Sequence, residues 1–391
     1  MCPASHNQKK QRHLLHVFST FSVGGAQVRF AKIINALGES YRHSVIALDG
    51  QTEAARLVAS GVDLNLIEAP STSGWLLTRL ARYRRVLRSI QPDLLVTYNW
   101  GAIEWSLSNF FPLCRHLHIE DGFGLEEAHA QLRRRVWTRR FALSSGSTIL
   151  VPSLKLVRIA LDEWGLPKAR MRYVPNGVDC GRFENRPPDA DLVKRLNLPE
   201  DIPIVGSVTA LRPEKNLQRL IRAFAVVEAQ IPAHLVIVGE GPERKSLEDL
   251  RTELCLQDKV TFAGHIDHPE RILGAFDIFA LSSDTEQMPY SVLEAMSAGL
   301  PIAGIDVGDV KVMVADLNKD FITHRSVDAL AHVLSQLLKS RERHEKIGQA
   351  NQLKVKSKFS ESLMISRYKE IFDNSNAKPH NIVLSQPIES S

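Results

Sequence analysis

Short apolar runs bounded by polar turns recur along this chain, spaced to leave room for a helix between most of them. Residues 14–18, 44–48, 93–97, 115–119 and 147–151 read as strands, and 28–37 carries apolar positions at helical spacing. The plan repeats at 204–208, 234–238, 260–262, 278–281 and 301–305, with a helix over 217–230. Strands alternating with helices predict parallel, doubly wound sheets. The repetition predicts two Rossmann-like α/β domains facing across a cleft, with ligands at the strand C-terminal edges. The break falls near Pro175-Asn176-Gly177-Val178-Asp179, and the polar stretch to Asp191, with Pro187-Pro188, reads as a linker. The domains expected are 1–178 and 179–358, then a helix over 359–373. A tail over 374–391 has no apolar period and is expected to be disordered.

Composition agrees with this plan. A chain of 391 residues is too long for one ordinary core. At 44% hydrophobic and 24% charged it reads as soluble and globular, and no apolar run approaches the ~20 residues of a membrane helix. The basic N-terminus leads into an apolar run broken by His16 and Ser19, which argues against a signal peptide. Cys2, Cys114, Cys180 and Cys255 fit no zinc or redox spacing and suggest free thiols in the cytoplasm. The 14 histidines show no ligand spacing with carboxylates, so no metal is expected. The net charge of +5 is mild but uneven. Arg79, Arg82, Arg84, Arg85 and Arg88 share one expected helix; Arg133, Arg134, Arg135, Arg139 and Arg140 share another. Both sets read either as solvated faces or as a contact with anionic lipid, at the inner face of the plasma membrane, or with a polyprenyl-diphosphate acceptor. No nucleic-acid motif accompanies them, and nucleic acid is not an expected partner.

The richest chemistry lies between Ser283 and Pro301. Glu286 falls on a strand-to-helix loop and Glu294 one to two turns into the helix. Pro289 suits the first helical turn and Gly299 the residue past its end. A helix N-terminus offers N–H groups and a positive dipole end to a phosphate. Glu294 can accept from a ribose diol and Glu286 from sugar hydroxyls, which suggests a nucleotide-sugar site. A solvated loop Glu and a helix-surface Glu remain the plainer alternative.

The segment resembles the Glu-x7-Glu signature of retaining glycosyltransferases of family 4, which have the two-Rossmann-domain fold called GT-B. Ser283, Glu286, Pro289, Glu294, Ala295, Met296, Gly299 and Pro301 match it, whereas Gln287-Met288 stand where Gly-Phe is usual. The resemblance covers nearly the whole chain apart from its tails, most strongly from Tyr173 to Asp309. It implies a nucleotide diphosphate-sugar donor, a carbohydrate or lipid-linked acceptor, no cofactor, and a C-terminal helix crossing back to the first domain. It places donor binding in the second domain and acceptor binding in the first, with synthesis of exopolysaccharide, lipopolysaccharide or lipid-linked glycans as the expected setting.

Further residues gain readings from it. Gly24-Gly25, after the first strand, resembles a loop facing donor diphosphate and acceptor, with Gln27 for the usual Glu. Lys215 with Arg212 would clamp the diphosphate, since the usual Arg position holds Ala210. Gly239, in Gly239-Glu240-Gly241-Pro242, lies near the nucleotide or is only a turn. Tyr290 joins the donor side. The loop at 262–266, Phe-Ala-Gly-His-Ile, often lines the base pocket through its backbone. Asp121 stands where the family commonly has a His, as a hydroxyl acceptor or as a helix N-cap; His118 and Glu120 should share one side of the preceding strand. Residues 98–105 either line the acceptor pocket or pack Trp100 and Trp105 into the core. The Gly-Gly-x-x-Glu turn has Val312 at its last position. The alternatives are an epimerase or phosphorylase on this fold and a binding protein that has lost catalysis. A nicotinamide dehydrogenase would want Gly-x-Gly-x-x-Gly after the first strand, and Val23-Gly24-Gly25-Ala26 lacks it.

Overall fold

The computed structural model describes residues 11–123, 127 and 131–373; the tail 374–391, Cys2 and Gly124 lie outside the described residues. The chain divides into two compact units, one of residues 1–174 and 365–391 and one of residues 175–364.

The first unit is a seven-stranded sheet in the order β3-β2-β1-β4-β5-β6-β7, and every pairing is parallel. Its strands are β1 Arg12–Phe18, β2 Tyr41–Ala47, β3 Asp63–Ile67, β4 Leu94–Tyr98, β5 Arg115–Ile119, β6 Thr148–Val151 and β7 Met171–Tyr173. β1 and β4 lie mid-sheet and are buried along almost their whole length, as a parallel sheet covered on both faces requires. The sequence pattern predicts neither β3 nor β7. β3 is a polar-interrupted edge strand with mostly exposed side chains, and β7 spans three residues. The first helix, Gly25–Leu37, starts earlier than its apolar stripe, because the Val28 N–H already donates to the Gly24 carbonyl at 2.9 Å. From Ile365 onward the helix Glu361–Asp373 belongs to this unit. Arg115 donates to the carbonyls of Ile371 and Phe372 at 3.1 and 3.2 Å, and the Tyr41 hydroxyl donates to Asp373 at 2.7 Å.

The second unit is a six-stranded sheet in the order β10-β9-β8-β11-β12-β13, again parallel throughout. Its strands are β8 Ile204–Val208, β9 His234–Val238, β10 Val260–Gly264, β11 Ile278–Leu281, β12 Ile302–Ile305 and β13 Ile322–Thr323. The two-residue β13 also escapes the sequence pattern. In each sheet the strand order reverses at one place, between β1 and β4 and between β8 and β11. Loops leaving the C-terminal ends of such a strand pair splay apart and leave a crevice. The stretch after Asp179 is not a plain linker: it holds the short helix Cys180–Phe183, then Asp189, whose carboxylate caps the helix Ala190–Arg195 at 3.0 Å from the Leu192 N–H. Val178 pairs in parallel with Ser360, which ties both ends of the unit together. Among the described residues no helix is long and apolar enough to cross a membrane.

The first sheet buries imidazoles. His16 bridges His43 and the Tyr98 hydroxyl at 3.0 and 3.1 Å, and His116 lies 2.7 Å from Ser147 Oγ. Burial, then the nearby His13, lowers the His43 pKa to about 4; burial, then His118, lowers that of His116 to about 3. Both rings are therefore neutral in the folded chain, while the unfolded chain takes up their protons below about 6.5. Stability is expected to be flat above pH 7 and to fall as pH drops from 6.5 toward 4.5. The expected slope is on the order of 2 kcal/mol per pH unit from these two groups. Urea denaturation midpoints across pH 4.5–8 measure it, and a flat profile over 4.5–6.5 would contradict it.

Candidate functional site

The second unit gathers its chemistry where its strand order reverses. The loop leaving β8 carries Lys215, and the loop leaving β11 carries Ser283 and Glu286. Glu286 Oε1 accepts from Lys215 Nζ at 2.6 Å and from Ser283 Oγ at 2.8 Å. The pair is mostly buried, with side chains 21% and 12% exposed. Oε2 of Glu286 has no partner among the described residues. Two charges this dehydrated hold one another firmly, and either left alone would be costly.

A second layer fixes both loops. Asp284 donates its N–H to the Glu214 carbonyl at 2.9 Å and accepts from Arg219 at 2.6 Å and Asn216 at 2.8 Å. Arg219 also donates to the Ser282 carbonyl at 2.7 Å, and Ser282 Oγ donates to the Lys215 carbonyl at 2.9 Å. Asn216 adopts the left-handed conformation, φ 42°, and its side chain caps the helix Leu217–Glu228. Sequence reasoning missed Arg219, because its partners lie more than 60 residues away. The Asn176 side chain donates to the Met288 carbonyl at 2.8 Å, and its N–H points at Met288 Sδ at 3.2 Å. Asn176 of the junction motif thus anchors the residue before Pro289, and Met288 is packed where the family has Phe.

Pro289 is the N-cap of the helix Tyr290–Ser297 rather than its first residue, and its side chain supplies no capping hydrogen bond. Glu294 is half-buried on this helix. The helix ends in a Schellman pattern: Gly299, φ 83°, donates to Met296, and Leu300 donates to Ala295. Arg182 from the helix Cys180–Phe183 joins the surroundings. Its hydrogen bond to Glu270 raises its pKa, with smaller contributions from Glu294 and Asp179. Arg212 is exposed, and its guanidinium pairs with no described residue.

Close backbone packing explains some glycines. At Gly239, φ 138°, a Cβ would stand 1.8 Å from the Thr209 carbonyl oxygen, which is reason enough for glycine without a ligand. At Gly308, φ 57°, it would stand 2.4 Å from the Glu286 carbonyl oxygen and 2.5 Å from that of Gln287. The turn after β12 therefore presses directly on the Glu286 loop, and the Asp309 N–H donates to Gln287 at 2.9 Å. Gly25 instead opens the helix Gly25–Leu37, and a Cβ there would meet nothing within 4 Å; Gly24 is extended.

Gly24, Gly25 and Asp121 belong to the first unit. Asp121 caps no helix among the described residues. Its carboxylate pairs with the buried Arg29 at 2.6 Å, and its N–H donates to Asn99 Oδ1 at 2.7 Å. Arg29 lies on the helix that Gly25 opens, so this pair joins the two loops. His118 and Glu120 are both fully buried, with Nε2 3.6 Å from Oε2. Trp105 is a core residue stacked on Tyr83 at 4.8 Å. The two arginine-rich helices are not uniform charged faces. Arg79 pairs with Glu104 at 2.6 Å, Arg82 and Arg84 donate to backbone carbonyls, and Arg135 pairs with Glu127 at 3.0 Å. Arg139 is buried between Glu120 and Glu127 and lies over the Trp100, Phe123 and Trp164 rings. Arg85, Arg88, Arg133 and Arg134 remain exposed.

Two family models match in succession: the "Glycosyl transferase 4-like domain" over residues 24–177 and "Glycosyl transferases group 1" over residues 189–354. An N-acetyl-alpha-D-glucosaminyl L-malate synthase of Bacillus anthracis is 26% identical over 61% of this chain; the chain spans 64% of that relative's length. The lipopolysaccharide core biosynthesis glycosyltransferase LpsD of Rhizobium meliloti is 26% identical over 91% of this chain and 96% of its own. The crystal structure of HepE from Anabaena, solved in complex with UDP, superposes with a TM-score of 0.79 at 18% identity, over 93% of this chain and all of that one. At that identity the likeness speaks for the fold alone.

The glycine contacts predict opposite outcomes for two substitutions. Gly308→Ala should destabilise the second unit by on the order of 2–4 kcal/mol and disturb the Glu286 loop. Gly25→Ala should leave stability within about 1 kcal/mol of wild type or raise it. Urea melts of both variants test this, and equal effects would contradict it.

Proposed function

Because this chain belongs to the family 4 glycosyltransferases of the GT-B fold, we propose that it moves a sugar from a nucleotide diphosphate-sugar to an acceptor hydroxyl with retention at the anomeric carbon. The observation that carries this reading is the Lys215–Glu286 pair at the strand-order reversal, beside the N-terminus of the helix Tyr290–Ser297. Unliganded, the ammonium and the carboxylate satisfy each other. A donor offers each a new partner: the diphosphate for Lys215 and sugar hydroxyls for Glu286. Glu294 accepts from the ribose hydroxyls, and Pro289, Tyr290 and the Gly239 turn line the donor. Arg212, exposed and with no partner among the described residues, is available to the diphosphate.

The reaction breaks the bond between the anomeric carbon and the diphosphate and forms one to the acceptor oxygen on the same face. Negative charge develops on the departing diphosphate, so preorganised cations and N–H dipoles aimed there are the main catalytic contribution. The acceptor proton leaves with that diphosphate, and no strong base is required. Asp121, held by Arg29, orients the acceptor hydroxyl. Assembly of lipopolysaccharide, exopolysaccharide or a lipid-linked glycan is the proposed setting, supported by likeness to LpsD. Peripheral contact with the cytoplasmic membrane face is proposed for the first unit. Exposed Trp75, Leu77, Trp137 and Phe141 accompany exposed Arg85, Arg88, Arg133 and Arg134 there, a pairing suited to anionic lipid.

Three measurements test these roles: ligand-induced thermal shift, turnover and vesicle binding. In a thermal-shift panel of nucleoside diphosphates, one base should stabilise the chain, with UDP the first to try. Glu294→Ala should abolish that shift, while Lys215→Ala lowers kcat by about 10²–10³-fold. Silence across the panel would overturn the donor assignment. In sedimentation with vesicles containing anionic lipid, binding should weaken in Trp75→Ser/Leu77→Ser and with added salt; absence of wild-type binding would remove the membrane contact.

A further inference from the structure

The edge of the first sheet where β4 to β7 begin holds a cavity of about 60 Å³ that none of the roles above uses. Arg115, Thr148 and Arg172 supply its polar walls, and Leu94, Leu117 and Ile371 its apolar ones. The strand register explains the gathering. Leu94 pairs with Arg115 and Leu117 with Thr148, so alternation sends these four side chains to one face of the sheet. Arg172 pairs with Leu150, two residues beyond Thr148, and joins the same face. The last turn of the helix Glu361–Asp373 adds Ile371.

Two guanidiniums here are short of partners. Arg172 is 5% exposed and forms no ion pair with a described residue. Its Nη1 donates to the Ala169 and Met171 carbonyls at 2.8 and 2.9 Å. Nε and Nη2 bond to no described residue, and together they form the edge of the fork that grips an oxyanion side-on. Arg115 uses Nη1 and Nη2 on the carbonyls of Phe372 and Ile371, while its Nε is enclosed and has no partner among the described residues. The Thr148 hydroxyl has none either.

The carboxylates of this edge are engaged elsewhere. Asp93 accepts from the His13 N–H at 2.7 Å, and Asp373 accepts from Tyr41 and Lys369 at 2.7 and 2.9 Å. Burial lowers the Arg172 pKa, and the exposed Glu370 opposes this only in part; burial, then Arg12, lowers that of Arg115. An arginine keeps its charge at neutral pH even so. A dehydrated cation without a counter-charge is costly, and an anion in the cavity would complete both groups. At ~10–15 Å³ for each water-sized occupant, the volume admits about four or five atoms, the size of a tetrahedral oxyanion and less than a sugar ring or a base.

We propose that this cavity binds a tetrahedral oxyanion, inorganic phosphate or the terminal phosphoryl group of an ester, on the Nε–Nη2 edge of Arg172. The Thr148 hydroxyl and Arg115 Nε are further donors to it. Arg115 also carries the final carbonyls of the helix Glu361–Asp373, so occupancy holds that helix end to the sheet. The site lies on the sheet edge opposite the crevice at the strand-order reversal, and it does not rest on the transferase reading.

The test combines calorimetric titration and hydrogen exchange on the full chain with inorganic phosphate at fixed ionic strength, and with glycerol 3-phosphate in parallel. Phosphate should bind and slow amide exchange over residues 365–373. Arg172→Lys keeps the charge and loses the fork, and Thr148→Val loses the hydroxyl. Each should weaken phosphate about tenfold while keeping the wild-type melting temperature in phosphate-free buffer. Lys215→Ala should leave the protection over 365–373 unchanged, because an anion held by the second unit would protect residues 283–297 instead. Absence of phosphate binding, protection confined to 283–297, or an affinity indifferent to both first-unit variants would each overturn the proposal. Equal affinity for glycerol 3-phosphate supports a terminal phosphoryl group as the occupant, and much weaker binding supports the free ion. Silence in the nucleoside diphosphate panel, with phosphate protection intact, would sink the donor assignment and leave this site standing.

Discussion

The ion pair between Lys215 and Glu286 is the contact around which the second unit is organised. It joins residues 71 positions apart across the one place where the sheet reverses its strand order. Neither charge is well hydrated, so the loops must hold their separation closely or leave a charge uncompensated. The surrounding contacts follow from that demand. Asp284, gripped by Arg219 and Asn216, fixes the start of the loop, and Asn176 fixes its end through Met288. Gly308 lets the neighbouring turn pack against its backbone. A loop held from three sides can present a carboxylate to a sugar without reordering when the ligand arrives, and that preorganisation is what electrostatic catalysis needs.

The first unit meets a related problem with a different solution. It buries charge in closed sets rather than presenting it. Arg139 is enclosed by Glu120, Glu127 and three aromatic rings, and Arg29 is matched by Asp121. Replacing one partner of such a set leaves a buried charge alone, so these residues constrain where the loops after β4 and β5 can lie. The Arg79–Glu104 pair is more open. It is fully formed yet reachable, and it stands on a cavity rather than in the core.

Much of the fold is legible in the order of residues alone. Central strands such as β1, β4, β8 and β9 announce themselves as apolar runs because both their faces are covered. The edge strands β3 and β13 do not, since one is half-exposed and polar and the other spans two residues. The helix carrying Glu294 is readable from Pro289 and Gly299, because helix starts and stops are local signals. Its first residue is not, because a proline serves equally as N-cap or as first helical residue. The basic helix Arg133–Ala142 misleads most. Its arginines look alike along the chain, yet Arg139 is buried and Arg133 and Arg134 are exposed.

That contrast marks the dividing line. Residue order, through hydrophobic period, turn chemistry and the spacing of two glutamates, was enough for the α/β class, the two-part plan, the placement of Lys215 and Glu286 on loops after strands and that of Glu294 on the helix that follows. Pairing was beyond it. Which arginine meets which carboxylate, why Asp121 answers to Arg29, how Arg219 secures the Glu286 loop and where a cavity opens all depend on which strands become neighbours. Strand order is a long-range outcome of the whole chain packing at once, and a side chain's partner across dozens of residues leaves no local trace.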